Sequence, residues 1–294
     1  MPIERNLLFW NTKGRDKCIL PLQEIVKNNR IDILLLAECP ADTAAIASKI
    51  GLPFVSHSNA GLTFFAAMPE LIVVNDQNIP INAQLAIIPD PANPDPTADN
   101  LIIARLDVGD MHILLAGVHL PSKWQGRDAN TQANFAEKCR RYIQIQEGLQ
   151  NINQTIIFGD FNMHPYEMGM TDSKRGFRTI SSSHIAHRRN TIGYRGITRR
   201  YFYNPCWTLF GDFIPNSATS RPPGTYYRSP QNDTDTYWNC LDGVLVSPEA
   251  IPRFVLPSLE VITNNSSVSH KLYDGKRLKP GYSDHLPITF TLTY

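Results

Sequence analysis

The chain has 294 residues, 42% of them hydrophobic and 19% charged, with a net charge of +1. That composition supplies a sizeable core and excludes disorder, collagen-like repetition and a small scaffold stapled by cysteines. Bulk charge names no partner, and every apolar run falls well short of the ~20 residues that a membrane span needs.

The elements, in chain order, begin with a strand at Asn6–Trp10, a helix at Asp16–Asn29 and a strand at Asp32–Ala37. A helix follows at Asp42–Ile50, stopped by Gly51, and then strands at Leu62–Ala67, Leu71–Val74 and Ala83–Ile88. Pro89–Asp99 is a Pro- and Asp-rich loop leading to strands at Leu101–Asp107 and Met111–Val118. The helix Asp128–Gln150 carries Phe135, Cys139, Tyr142 and Leu149 at helical spacing. Strands at Gln154–Phe158, Leu241–Ser247 and Ile288–Thr293 complete the set, each a short apolar run bounded by turn-forming residues. No repeat or linker interrupts the chain, so one domain spanning residues 1–294 is expected. Trp207, Tyr226, Tyr227 and Trp238 are read as packing residues.

Five cysteines (Cys18, Cys39, Cys139, Cys206 and Cys240) are odd in number and form no C-x-x-C pair. Neither structural zinc nor a secreted disulfide framework is indicated. Glu4 and Arg5 near the start argue against a signal peptide. The expectation is a cytoplasmic protein with reduced, mostly buried thiols.

Polar residues able to bind metal stand at the ends of these strands. Asn11, Glu38 and His119 each follow a strand, and Gly159-Asp160-Phe161-Asn162 follows another. Asp242 heads a strand, and Ser283-Asp284-His285 precedes the last one. In a mixed sheet the start of one strand lies beside the end of its antiparallel neighbour, so all six groups can meet at one rim. Their carboxylate and amide oxygens suit Mg²⁺ or Mn²⁺, whereas zinc would favour thiolates. A histidine held by a carboxylate, beside a cation and an oriented water, is the equipment needed for attack on phosphorus.

Gly159-Asp160-Phe161-Asn162, Ser283-Asp284-His285-Leu286-Pro287, Trp10-Asn11, Ala37-Glu38 and Leu241-Asp242 resemble the endonuclease/exonuclease/phosphatase superfamily in order and spacing. The likeness extends from Asn6 to Leu292; Ala37 departs from the glutamine that many members carry there. It implies that Glu38 is the principal metal ligand, helped by Asn11 and Asp284. Asp160 and Asn162 would orient or deprotonate the attacking water and position the phosphate. His285, paired with Asp242, would serve as base or charge stabiliser, and His119 would contact phosphate or protonate the leaving oxygen. The implied fold is α/β (α+β), a four-layer sandwich of two packed mixed sheets flanked by helices.

Charge is unevenly spread along the chain. From Lys174 to Arg228 there are ten basic residues and one acid, Asp212. Nine of the ten are arginines, and Phe177, Tyr194, Tyr201, Phe202 and Tyr203 interleave with them. Such a stretch reads as a polyanion-binding face with surfaces for base stacking. Arg175, Arg178, Arg199 and Arg200 are the expected phosphate contacts, with Lys123 and Trp124 on the loop after His119. The expected function is Mg²⁺-dependent hydrolysis of a phosphodiester by direct water attack, with DNA as substrate and no protein partner. Alternatives are a smaller phosphoester or phospholipid head group, or a catalytically dead member that binds nucleic acid.

Overall fold

Successive side chains of a strand point to opposite faces, and in β-strands Ile33–Ala37, Thr155–Asp160 and Asp242–Val246 both faces are buried, which builds the layers. The computed structural model describes residues 3–58, 61–67, 71–74, 100–123, 128–189, 191–194, 197–212, 221–229, 236–263, 271–275 and 277–294. Among them, one sheet has six strands in the order β16 (Phe254–Val261), β17 (Ile288–Thr293), β1 (Glu4–Asn11), β2 (Ile33–Ala37), β4 (Thr63–Ala66) and β3 (Phe54–His57). A second has seven, in the order β5 (Leu71–Val74), β6 (Leu101–Val108), β7 (Met111–His119), β8 (Thr155–Asp160), β15 (Asp242–Val246), β12 (Phe202–Tyr203) and β9 (Thr179–Ile180). Both sheets are mixed: β1 runs parallel to β2 and antiparallel to β17, while β8 runs parallel to β7 and antiparallel to β15.

Leu7, Phe9, Ile33 and Leu35 of the first sheet face Leu115, Ile156, Phe158 and Val244 of the second in one buried core. The opposite face of the first sheet, with Leu8, Trp10, Leu34 and Leu36, packs on α1 (Ile19–Asn28) and α2 (Thr43–Ile50). The outer face of the second, with Leu114, Ala116, Val118 and Ile157, packs on α3 (Ala129–Gln150) through Ala136, Cys139 and Ile143. The result is the expected α/β sandwich. Each fully buried Leu, Ile or Phe contributes roughly 1.5–3 kcal/mol, so these rows dominate the stabilisation. Gly117 lets the sheets approach closely, since a Cβ there would sit 2.6 Å from Leu35 Cδ2.

The helices start and stop where side chains satisfy their free ends. Asp42 accepts from Ala45 N at α2, and Asp128 accepts from Thr131 N at α3. Gly51 and Asn151 close those helices in the left-handed region.

Every expected strand that falls on described residues forms, with ends displaced by two residues at most. Ala83–Ile88 and the loop Pro89–Asp99 lie outside the described residues. The sequence reading missed β3, β9, β12 and β16. The last contains Pro257, which is tolerated because β16 pairs on one side only, with β17. Two hairpins were also unexpected, β10 (Thr191–Tyr194) with β11 (Ile197–Arg200) and β13 (Tyr226–Tyr227) with β14 (Trp238–Asn239). So were two short helices, α4 (Met168–Thr171) and α5 (Ser183–Arg188). Cys18, Cys139, Cys206 and Cys240 are buried and Cys39 is half-buried.

Candidate active site

Strand register brings the polar strand ends together. In the second sheet His119 pairs with Asp160 across parallel strands, and Asp160 pairs with Asp242 across antiparallel ones. Residues directly opposite one another share a face, so these three continue the rows that carry Leu115, Phe158 and Val244. They therefore emerge from the core between the sheets, at its rim. Asn11 likewise ends the row of Leu7 and Phe9 in the facing sheet, beside Ala37 of β2. Glu38 is the next residue.

The local backbone is strained where these groups are presented. Glu38 adopts a φ of 47° and Asn162 a φ of 51°, both in the left-handed region. For Glu38 this costs of order 1–3 kcal/mol, whereas Asn tolerates it better. The Glu38 carbonyl is held by Gly14 N at 2.8 Å and by the Thr12 hydroxyl at 2.8 Å, which fixes the twist. Gly159, at φ 146°, has no room for a side chain, because a Cβ would collide with the Val118 carbonyl.

Asn11 Nδ2 lies 3.1 Å from Glu38 Oε1 and 3.1 Å from Asp160 Oδ2, drawing the two carboxylates together. Asp160 is buried, and the Asn162 backbone N–H donates to its Oδ1 at 2.8 Å. Asn162 is held in turn by Leu120 O and by the Gln132 side chain. His119 Nε2 faces Glu38 and Asp160, 3.8 Å from an oxygen of each.

Behind this pair, His285 Nδ1 lies 2.9 Å from both oxygens of the buried Asp242, while Nε2 lies 3.8 Å from Asp160 Oδ2. Burial alone would push the His285 imidazole down, but the negative charges of Asp242 and Asp160 outweigh it and hold the group up at about 9. Burial lifts Asp242 to about 6 against the opposing pull of His285. The carboxylate of Asp242 thus favours the protonated imidazole. The Trp10 indole donates to His285 O at 2.9 Å, and Thr225 Oγ1 accepts from Asp242 N at 3.1 Å.

Asp160, Asp242 and His285 have ligand atoms within 4.8 Å of one another. They do not make a good metal position, because His285 Nδ1 and both Asp242 oxygens are committed to one another. The donors that fit a hard cation are Glu38, whose side chain is 43% exposed, together with Asp160 and Asn11. These are the oxygen-rich groups that Mg²⁺ or Mn²⁺ takes. The Asp284 carboxylate is paired with Lys13 on the same rim, and the Ser283 hydroxyl donates to Asn11 O at 2.6 Å.

Eight expected residues thus lie at the rim: Asn11, Glu38, His119, Asp160, Asn162, Asp242, Asp284 and His285. The basic stretch fares differently. Arg200 is drawn away to Glu147 and Glu249, at the opposite end of β8, where Thr155 also bonds Glu147. The expectation that it meets substrate is corrected accordingly. Arg178 is buried with its guanidinium 4.7 Å over the Tyr201 ring, so it too is not presented at the rim. Phe177, Phe202 and Tyr203 are core residues rather than stacking surfaces. The side chains of Arg199 and Tyr194, and all of Trp124, lie outside the described residues. Lys123 pairs with Glu167, and Arg175 donates to Asn130 beside α4.

Sequence reasoning missed Lys13 and Tyr226. The Tyr226 ring lies 4.6 Å from that of His285, centroid to centroid. Burial, and then the charge of Asp284, push its phenol up to about 12, which keeps it a hydrogen-bond donor. No local signal marks Lys13, whereas Tyr226 opens the short strand β13 after Thr225, and the role of the two emerges only through contact with Asp242 and His285. Trp207, expected to pack, is 41% exposed.

Residues 8–285 match the model of the Endonuclease/Exonuclease/phosphatase family, and the chain belongs to that family. Among solved structures it is similar to truncated TDP2 of Caenorhabditis elegans, with 16% identity, a TM-score of 0.54, and coverage of 99% of this chain and 98% of that one. It is also similar to the human nocturnin catalytic domain with bound sulfate anion, at 16% identity and TM-score 0.54, covering 99% and 96% of the two chains. An AP endonuclease from Archaeoglobus fulgidus shares 13% identity over 97% of this chain and 98% of its own, with a TM-score of 0.54. Such identities establish the common fold. Among curated proteins, no sequence matches this chain.

Proposed function

We propose that this chain, as one domain spanning residues 1–294, is a divalent-cation-dependent phosphodiester hydrolase acting on nucleic acid, with DNA its substrate. The observation that carries the reading is the meeting of His119, Asp160, Asp242 and His285 with Asn11 and Glu38 at one rim. Family membership and structural neighbours that include an AP endonuclease support it. Lys123, four residues after His119, and Arg175, beyond α4, remain the candidates for phosphate contact, and the cysteine pattern supports a cytoplasmic setting.

Glu38, Asp160 and Asn11 would hold the cation, with Asp284 close by; when bound, Mg²⁺ or Mn²⁺ supplies positive charge on a phosphoryl oxygen. Asp160, fixed through Oδ1 by Asn162 N–H, accepts a proton from water as its oxygen forms the new bond to phosphorus. The bond to the leaving oxygen breaks, and that oxygen takes a proton from His119 or solvent. His285, locked through Nδ1 onto Asp242 with Nε2 turned toward Asp160, is assigned charge stabilisation at the phosphoryl oxygens. Asp242 keeps it protonated and oriented.

The test is hydrolysis of plasmid DNA, a short RNA and methyl p-nitrophenyl phosphate, each with Mg²⁺ and with EDTA. Cleavage that requires Mg²⁺ supports the reading. Binding of DNA with no hydrolysis of any of the three would replace it with that of a binding protein.

A further inference from the structure

Beside the rim lies an aromatic cluster that the hydrolytic machinery does not use. Asn162 leads in two residues to His164, whose ring stacks on Tyr166 with centroids 5.2 Å apart and an interplanar angle of 6°. Phe210 lies 5.8 Å from His164 and 6.2 Å from Tyr166, and Trp207 lies 6.1 Å from Phe210 and 6.4 Å from Tyr166. The outer rings are open to solvent: Tyr166 is 57% exposed and Trp207 41%. Large aromatics held this way usually bury most of their area, so two exposed neighbours form an apolar patch with a flat π-surface.

The cluster is fastened to the rim. His164 Nε2 lies 3.0 Å from Asn239 Oδ1, Asn239 pairs with Tyr226, and Tyr226 packs on His285. Cationic groups flank it as well. Lys123 pairs with Glu167, whose carboxylate also accepts from His164 N at 3.1 Å, and Arg175 reaches Met168 Sδ at 3.6 Å. A flat aromatic surface next to cationic side chains and a phosphate-handling rim matches an unpaired nucleotide: a base for the ring face and phosphates for the charges.

We propose that Tyr166 and Trp207 form a stacking platform that binds an unpaired nucleobase flanking the phosphate at the rim. Stacking is tolerant of base identity, so the platform selects a single-stranded or frayed segment and not a sequence. The proposal rests on the phosphodiesterase reading for its ligand class, and its test is chosen to fail separately.

Fluorescence anisotropy in EDTA would compare a labelled thymidine oligomer with an abasic oligomer of equal length, which has the same phosphates and no bases. The wild-type chain is expected to bind the thymidine oligomer about ten-fold or more tightly. Tyr166→Ala and Trp207→Ala should each remove most of that preference while abasic binding stays the same. Tyr166→Phe and Trp207→Phe keep a ring and should retain it, which separates stacking from a general loss of folding. Equal affinity of the wild-type chain for both oligomers would overturn the proposal, as would full preference in the alanine variants. Hydrolysis of methyl p-nitrophenyl phosphate tests the parent reading on its own: turnover with base-indifferent binding removes the platform alone, and base-dependent binding without turnover removes the hydrolase alone.

Discussion

His285 Nδ1 lies equidistant, at 2.9 Å, from the two carboxylate oxygens of Asp242, and both residues are buried. The carboxylate therefore fixes the charge of the imidazole as well as its direction. Asp242→Asn keeps the shape and removes the charge, so His285 loses the partner that holds its proton. Turnover is expected to fall by about 10²–10⁴, the scale of a misplaced acid–base group, with the circular dichroism spectrum unchanged. Near-normal turnover would remove the pair from the reaction.

The same pair sets a pH dependence of stability. His285 is raised from 6.5 to about 9 in the folded chain, so the folded state binds its proton more tightly than the unfolded state. Its stabilising contribution is complete below pH 6.5 and disappears as pH rises through about 9. Asp242, raised by burial from 3.8 to about 6, titrates together with the imidazole it contacts. Urea unfolding in EDTA should show stability falling by up to about 3 kcal/mol across pH 6.5–9. His285→Gln should flatten that slope, and an equal slope in the variant would contradict the assignment.

Glu38 is the open carboxylate of the rim, and Asn11 ties it to Asp160. Glu38→Gln keeps the hydrogen bond and loses the charge. The Mg²⁺ concentration giving half-maximal activity is expected to rise at least about ten-fold, equivalent to ~1.4 kcal/mol of lost interaction. A metal titration that does not move would exclude Glu38 as a ligand.

Arg200, paired with Glu147 and Glu249, belongs to the framework. Removing it leaves Glu147 largely buried without its counter-charge, and Arg200→Ala should destabilise the fold by on the order of 3 kcal/mol. The slope of log affinity for DNA against log salt should stay as it is. Lys123→Ala, by contrast, should reduce that slope by roughly 0.7–0.9 if Lys123 touches a phosphate. A reduced slope in Arg200→Ala would return this arginine to the nucleic-acid interface.

These contrasts trace what the chain discloses by itself. Asn11, Glu38, His119 and Asp160 were legible because each follows a short apolar run bounded by turn-forming residues. The register linking His119 to Asp160 and Asp160 to Asp242 was not, since the strands come from distant parts of the chain. Counting arginines along a stretch could not reveal that Glu147 and Tyr201 would claim Arg200 and Arg178. Nor could it find Tyr166 and Trp207, which lie in segments without periodicity and become a patch only when His164 and Phe210 close the cluster.

The central claim is that the carboxylate of Asp160 at this rim drives hydrolysis of a phosphodiester. Single-turnover cleavage of an end-labelled DNA oligomer by the wild-type chain and by Asp160→Asn, in Mg²⁺ and in EDTA, tests it most directly. Cleavage by the wild-type chain is expected to be abolished by EDTA and slowed at least about 10²-fold by Asp160→Asn. Cleavage by Asp160→Asn at the wild-type rate, or none by the wild-type chain, would contradict it.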